Sequence, residues 1–103
     1  MIRIGHGVIV AAAIVAGAAH AAAAEQVGVP ACDAYLVQYD SCITTKIPEA
    51  QRAPHRKTVD DKRKGWIDYG NKNPSLKSSL EQTCKTTMTM TNMMLQQYGC
   101  ELK

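Results

Sequence analysis

Four cysteines, a cluster of methionines and a basic run around one tryptophan are the side chains in this 103-residue sequence whose types could do chemistry. Cys32, Cys42, Cys84 and Cys100 are separated by nine, 41 and 15 residues. Tetrahedral zinc sites draw on close pairs such as C-x2-C. Redox-active dithiols use C-x-x-C, which sets two sulfurs at a helix N-terminus and lowers one thiol pKa. Neither spacing occurs here. An even number of cysteines without those spacings is read most economically as two structural disulfides.

Met90, Met93 and Met94 fall at i, i+3 and i+4, the spacing that presents thioethers on one side of a helix and offers soft donors to Cu(I). Met88 lies about 160° from Met90 on the same wheel and joins the apolar side. Methionine is a common gap-filler in small cores, so packing and ordinary surface positions are the leading reading of this cluster, with a soft-metal site as its alternative; no cofactor is implied. Arg56, Lys62, Arg63 and Trp66 form a candidate basic and aromatic contact face for an acidic surface such as lipid headgroups. The spacing weakens that reading. Lys57 precedes Asp61 by four, Asp60 precedes Lys64 by four and Lys64 precedes Asp68 by four, the alternation of a solvated helix face that pairs with itself. Trp66 is expected instead as a core anchor, because the chain has no phenylalanine and this side chain carries the largest apolar area available.

Catalysis has little to work with. Beyond residue 24 the one histidine is His55, and Asp60 and Asp61 diverge by about 100° on a helix, so no nucleophile, base and orienting group can be assembled. The expectation is that the protein is not an enzyme.

Helical spacing accounts for how these residues would be held. From Pro30 to Ile47 the positions Cys32, Tyr35, Leu36, Tyr39, Cys42, Ile43 and Ile47 recur at three and four, one stripe of an amphipathic helix that Ile47-Pro48 ends. A short turn is expected at Pro48 to Ala53, then a second helix from about Pro54 to Tyr69 stopped by Gly70-Asn71. On that helix His55, Val59, Trp66 and Tyr69 share a face with the stem of Lys62. Asn73 as cap and Pro74 at the first turn start a third helix, and Gly99 stops it. Its stripe is Leu76, Leu80, Cys84, Thr87, Met88, Thr91, Met94, Leu95 and Tyr98. The fold class predicted is all-α, a small three-helix bundle stapled by two disulfides.

Residues 1–24 read as a cleaved secretory signal peptide. Arg3 and His6 precede the apolar run Val8 to Ala16, and Ala22-Ala23-Ala24 supplies the small residues a signal peptidase accepts. The run is shorter than the ~20 residues a spanning helix needs, so no transmembrane anchor is expected after cleavage. Residues 25–103 then form a single domain. Much of the chain's 46% apolar content falls in the signal segment, so the remaining core is thin and needs its staples. The formal net charge of +3 is too small to imply a nucleic-acid partner.

Lengths constrain the disulfides. At ~1.5 Å per residue Cys32 and Cys42 would sit ~15 Å apart on one helix and Cys84 and Cys100 ~24 Å apart, beyond the ~7 Å that bridged Cα atoms allow. An up-down-up bundle favours Cys32–Cys84 with Cys42–Cys100. The nested pairing, Cys32–Cys100 with Cys42–Cys84, stays open if the first and third helices run antiparallel.

The segment from Cys32 to Ile43, with Ile47-Pro48-Glu49-Ala50-Gln51-Arg52-Ala53 and the ending Gln97-Tyr98-Gly99-Cys100, resembles a group of small exported proteobacterial four-cysteine helical proteins of uncharacterised function. That resemblance implies fold and compartment and carries over no catalytic residue. Pro54, Gly65 and a Thr/Met-rich third helix stand where that group has alanine-rich stretches, leaving the length of the second helix open. The C-x9-C spacing also looks like one half of the twin C-x9-C hairpins of mitochondria, but the second pair here is C-x15-C. The expected role is that of a periplasmic or secreted binding or accessory module, its partner a protein or a cell-envelope component.

Overall fold

The computed structural model describes residues 25–103; the expected signal segment, residues 1–24, lies outside them. Three helices follow one another, α1 (Pro30–Thr45), α2 (Arg52–Lys72) and α3 (Lys77–Leu95), joined by short 3-10 turns at Glu49–Gln51 and Pro74–Leu76 and followed by one at Gln96–Tyr98. The described residues contain no strand. The all-α expectation and the three-element count hold.

α1 is the hub. Its residues Cys32, Tyr35, Leu36, Tyr39, Cys42 and Ile43 are all buried, the stripe that their spacing of three and four lays along one side. Pro30 stands in its first turn, where a missing N–H costs nothing. The helix ends at Thr45, two residues before the expected limit, and the N–H groups of both Lys46 and Ile47 turn back to the Cys42 carbonyl. Ile47 nonetheless closes the core at 1% exposure.

α2 starts and stops elsewhere than expected. Pro54 does not delay it: the helix begins at Arg52, which makes Pro54 its third residue, one of the four whose N–H would have no intrahelical partner in any case. Gly70-Asn71 does not stop it either. Gly70 is buried against the stem of Lys77, where a Cβ would stand 3.6 Å from Lys77 Cε, and the helix runs on to Lys72. The stop is Asn73, forced out of the α region by the following proline, at φ −134° and ψ 65°. Its side chain does not cap α3 as expected. Asn73 Nδ2 donates backward to the Tyr69 carbonyl at 3.1 Å, and Pro74 opens a 3-10 turn.

Both disulfides form as the up-down-up arrangement requires, Cys32–Cys84 with Cα atoms 5.0 Å apart and Cys42–Cys100 with 5.9 Å. α1 and α3 therefore run parallel, with α2 antiparallel to both. Cys32, in the first turn of α1, and Cys84, midway along α3, are wholly buried, the Cys32 sulfur 3.6 Å from the Leu80 carbonyl oxygen. Gly99, at φ 81°, turns the chain out of the last 3-10 turn in the left-handed region that glycine enters without cost, and delivers Cys100 to Cys42.

Polar clamps hold the segments flanking the helices. The Asp33 carboxylate accepts from the N–H groups of Val27 (2.7 Å) and Gly28 (3.0 Å), seating Val27 and Val29 on the core. At the other end Leu102 is buried, its N–H donating to Asn92 Oδ1 at 2.9 Å, and the Lys103 N–H donates to Gln38 Oε1 at 2.6 Å.

Candidate functional site

α2 and α3 each pack along α1 but meet one another much less. They leave a cleft whose floor is Tyr35 and Tyr39 of α1. One end is a cavity of about 300 Å³ lined by Gly65, Trp66 and Tyr69 of α2 and Leu80 and Thr83 of α3. The other end is a cavity of about 290 Å³ lined by Tyr39, His55, Thr58, Lys62, Thr91 and Met94. Tyr35 reaches both, lining the second cavity and standing edge-on to Trp66 of the first at 5.5 Å between ring centres.

The floor is a chain of edge-to-face rings. From Trp66 and Tyr35 it passes to Tyr39 (5.7 Å), His55 (5.7 Å) and Tyr98 (5.8 Å). Such contacts add specificity and about 0.5 to 1.5 kcal/mol each beyond area burial. Each phenol also finds a polar partner. Tyr35 shares a buried hydrogen bond with Thr91 Oγ1 at 3.0 Å, Tyr39 meets His55 Nδ1 at 2.5 Å, and Tyr98 donates to Gln51 Oε1 at 2.9 Å. Burial raises the Tyr35 hydroxyl above the ordinary phenol value. Burial, with the neighbouring Tyr35 and Tyr98, pushes Tyr39 up to about 12. At neutral pH the Tyr35 and Tyr39 phenols are uncharged and hydrogen-bonded.

The sequence-derived contact face is divided by the fold. Lys62 and Trp66 stay together on the cleft side, the ammonium 5.7 Å from the indole ring centre, within cation–π range. Arg56 and Arg63 lie on the other flank of α2. There Arg56 approaches Asp40 of α1 at 3.7 Å and Arg63, its side chain only 18% exposed, meets Asp60 at 3.4 Å. The expected pair Lys57–Asp61 forms at 2.8 Å, lowering the Asp61 carboxyl and raising the Lys57 ammonium through their hydrogen bond. Asp60 pairs with Arg63 rather than with Lys64. Asp68 pairs with Lys72 at 3.2 Å, acid four residues before base, the stronger orientation along a helix.

The stripes are graded rather than uniformly buried. Val59 is buried, Trp66 and His55 are half-buried, and Tyr69 is 39% exposed, since it stands at the cleft mouth rather than over α1. On α3, Leu80, Cys84, Thr91 and Leu95 are buried, whereas Leu76 belongs to the preceding 3-10 turn and is 43% exposed. Met90, Met93 and Met94 are 65%, 69% and 45% exposed, so these three thioethers do not fill the core; Met88 does pack against it. Tyr35, Tyr39, Thr91 and Gly65 were not among the residues that spacing marked as a site. The available signal was Thr91, a hydroxyl in a largely apolar stripe, which needs a partner when it is buried there.

No carboxylate lines either cavity, and no group of three or more His, Cys, Asp or Glu gathers among the described residues. The cleft offers apolar and aromatic surface, hydroxyls, one imidazole and one ammonium. No described helix is long and apolar enough to cross a membrane. Neither protein-family models, nor curated proteins, nor solved structures match the chain.

Proposed function

We propose that this chain is an exported, non-enzymatic binding or accessory module of the bacterial cell envelope, working through the cleft between α2 and α3. The observation that carries the reading is that cleft, whose walls leave Trp66 and His55 half-buried and Tyr69 exposed above the buried rings of Tyr35 and Tyr39. Disulfides persist in oxidising compartments, which supports export, as does the signal-like composition of residues 1–24. The occupant that fits is a segment of an envelope protein with an apolar face and an acidic edge. Lys62 is the charged side chain at the cleft and no acid lines it, so an acidic edge meets complementary charge while the apolar face covers Trp66, Tyr69 and Leu80.

Photo-crosslinking in cells tests this. A photoreactive residue in place of Tyr69 or Thr83 is expected to trap one protein adduct of constant size in the envelope fraction, and the same residue in place of Lys57, on the opposite face, is expected to trap none. Adducts of equal yield from both faces, adducts to lipid alone, or accumulation of the chain in the cytoplasm would overturn the reading.

A further inference from the structure

Three thioethers on α3 are in water although methionine gains by burial, and one of them shares a cavity with the histidine of α2. Met94 lines the 290 Å³ cavity together with His55. Met90 stands one turn earlier, about 40° away on the wheel and on the same side, while Met93 lies about 100° from Met94 and points elsewhere. One ring nitrogen of His55 is already engaged. Its Nδ1 is held at 2.5 Å by the hydroxyl of Tyr39, a side chain 1% exposed, so Nε2 is the nitrogen left to face a bound group. Metal-binding histidines are held in this way, the second ring nitrogen donating to a fixed oxygen that sets tautomer and ring angle.

We propose that His55 Nε2 with the thioethers of Met94 and Met90 forms a site for a soft monovalent metal ion, Cu(I) or its redox-silent analogue Ag(I). Thioether and imidazole donors select such ions, and the absence of carboxylates from the cavity disfavours Ca(II), Mg(II) and Mn(II). Both disulfides are closed and the described chain has no free thiol, so no thiolate competes for the ion. Lys62 is the opposing charge, and its position over the Trp66 ring takes its ammonium toward the indole face. The site differs from the cluster that spacing alone suggests, since it exchanges Met93 for His55. It does not depend on the cleft's protein partner.

Titration of Ag(I) into the oxidised protein, followed by proton NMR of the methionine methyls and the histidine ring, tests it. One ion per chain is expected to bind, shifting the methyls of Met90 and Met94 and the ring of His55 while those of Met88 and Met93 stay put. Met94→Leu, at an exposed position, is expected to weaken binding at least tenfold, and Tyr39→Phe, which removes only the orienting hydroxyl, about tenfold. Met93→Leu is expected to change nothing. A His55 ring that does not respond, a Met93 methyl that shifts as much as Met94, or unchanged affinity in Met94→Leu would overturn the proposal.

Discussion

Removing one disulfide at a time separates what the staples do from what the core does. Cys32 and Cys84 are 52 residues apart and Cys42 and Cys100 are 58 apart, so in the chain-entropy model each bridge restrains the unfolded chain by about 4 kcal/mol, nearly the same for both. Their surroundings are not the same. Cys32 and Cys84 are each 0% exposed, whereas Cys42 is 4% exposed and Cys100 is half-buried beside an open surface cavity. Replacing both buried sulfurs by alanine methyls leaves unfilled volume in a packed interior, and at about 1 kcal/mol per lost heavy atom that adds roughly 2 kcal/mol.

The double variant Cys32→Ala/Cys84→Ala is therefore expected to lose about 6 kcal/mol and Cys42→Ala/Cys100→Ala about 4 to 5 kcal/mol. A domain this size has a total stability of about 4 to 12 kcal/mol, so the first variant is expected to be largely unfolded at 37 °C and the second to fold with a lowered midpoint. Urea unfolding followed by far-ultraviolet circular dichroism measures both. A Cys32→Ala/Cys84→Ala protein within about 1 kcal/mol of the parent, or more stable than the other variant, would refute the argument from burial.

Under mild reductant with timed alkylation, Cys42–Cys100 is expected to open before Cys32–Cys84, because a thiolate reaches Cys100 through the cavity beside it but reaches Cys32 only when the bundle opens; simultaneous loss of both would contradict this. Tyr39 titrates near 12 in the fold against 10 unfolded, so between pH 10 and 12 the unfolded chain has released a proton the fold still holds. Stability is then fully present below pH 10 and falls as pH rises toward 12, on the order of 2 to 3 kcal/mol, and Tyr39→Phe is expected to flatten that decline in alkaline unfolding curves. Gly65→Ala is expected to stabilise the protein by about 0.5 to 1 kcal/mol in thermal melts, since a Cβ there meets nothing within 4 Å and alanine is the better helix former; destabilisation would mean that the cleft wall is tighter than the structure places it.

Much of the fold was legible because it rests on local rules. Spacing at three and four marks α1 residue by residue, and Gly99 marks its turn. The pairing of Cys32 with Cys84 and Cys42 with Cys100 follows from helix lengths once the up-down-up order is assumed, and the sequence alone could not supply that assumption. The errors cluster at helix ends, where two local rules compete. Proline breaks a helix in its interior but not at its third residue, so α2 begins before Pro54. Glycine lowers helix propensity but does not stop a helix that buries it, so α2 runs through Gly70 to the stronger stop at Asn73-Pro74.

The cleft was not legible, and the reason is geometric. A helical wheel gives the angle of each residue about its own axis but not the direction in which a neighbouring helix lies. Arg56, Lys62, Arg63 and Trp66 sit within a span of eleven residues and could form one face only if α1 packed elsewhere on α2. With α1 on the Val59 side it divides them, sending Arg56 and Arg63 toward Asp40 and Asp60 and leaving Lys62 and Trp66 at the cleft. The same packing sets Tyr35 and Tyr39, read from spacing as core positions and buried as such, beneath the cleft between α2 and α3. It also brings His55 beside Met94, 39 residues away in the chain, a juxtaposition that no periodicity encodes. What local spacing determines in this protein is which residues leave water; which of them remain available to a partner is determined by the hub position of α1.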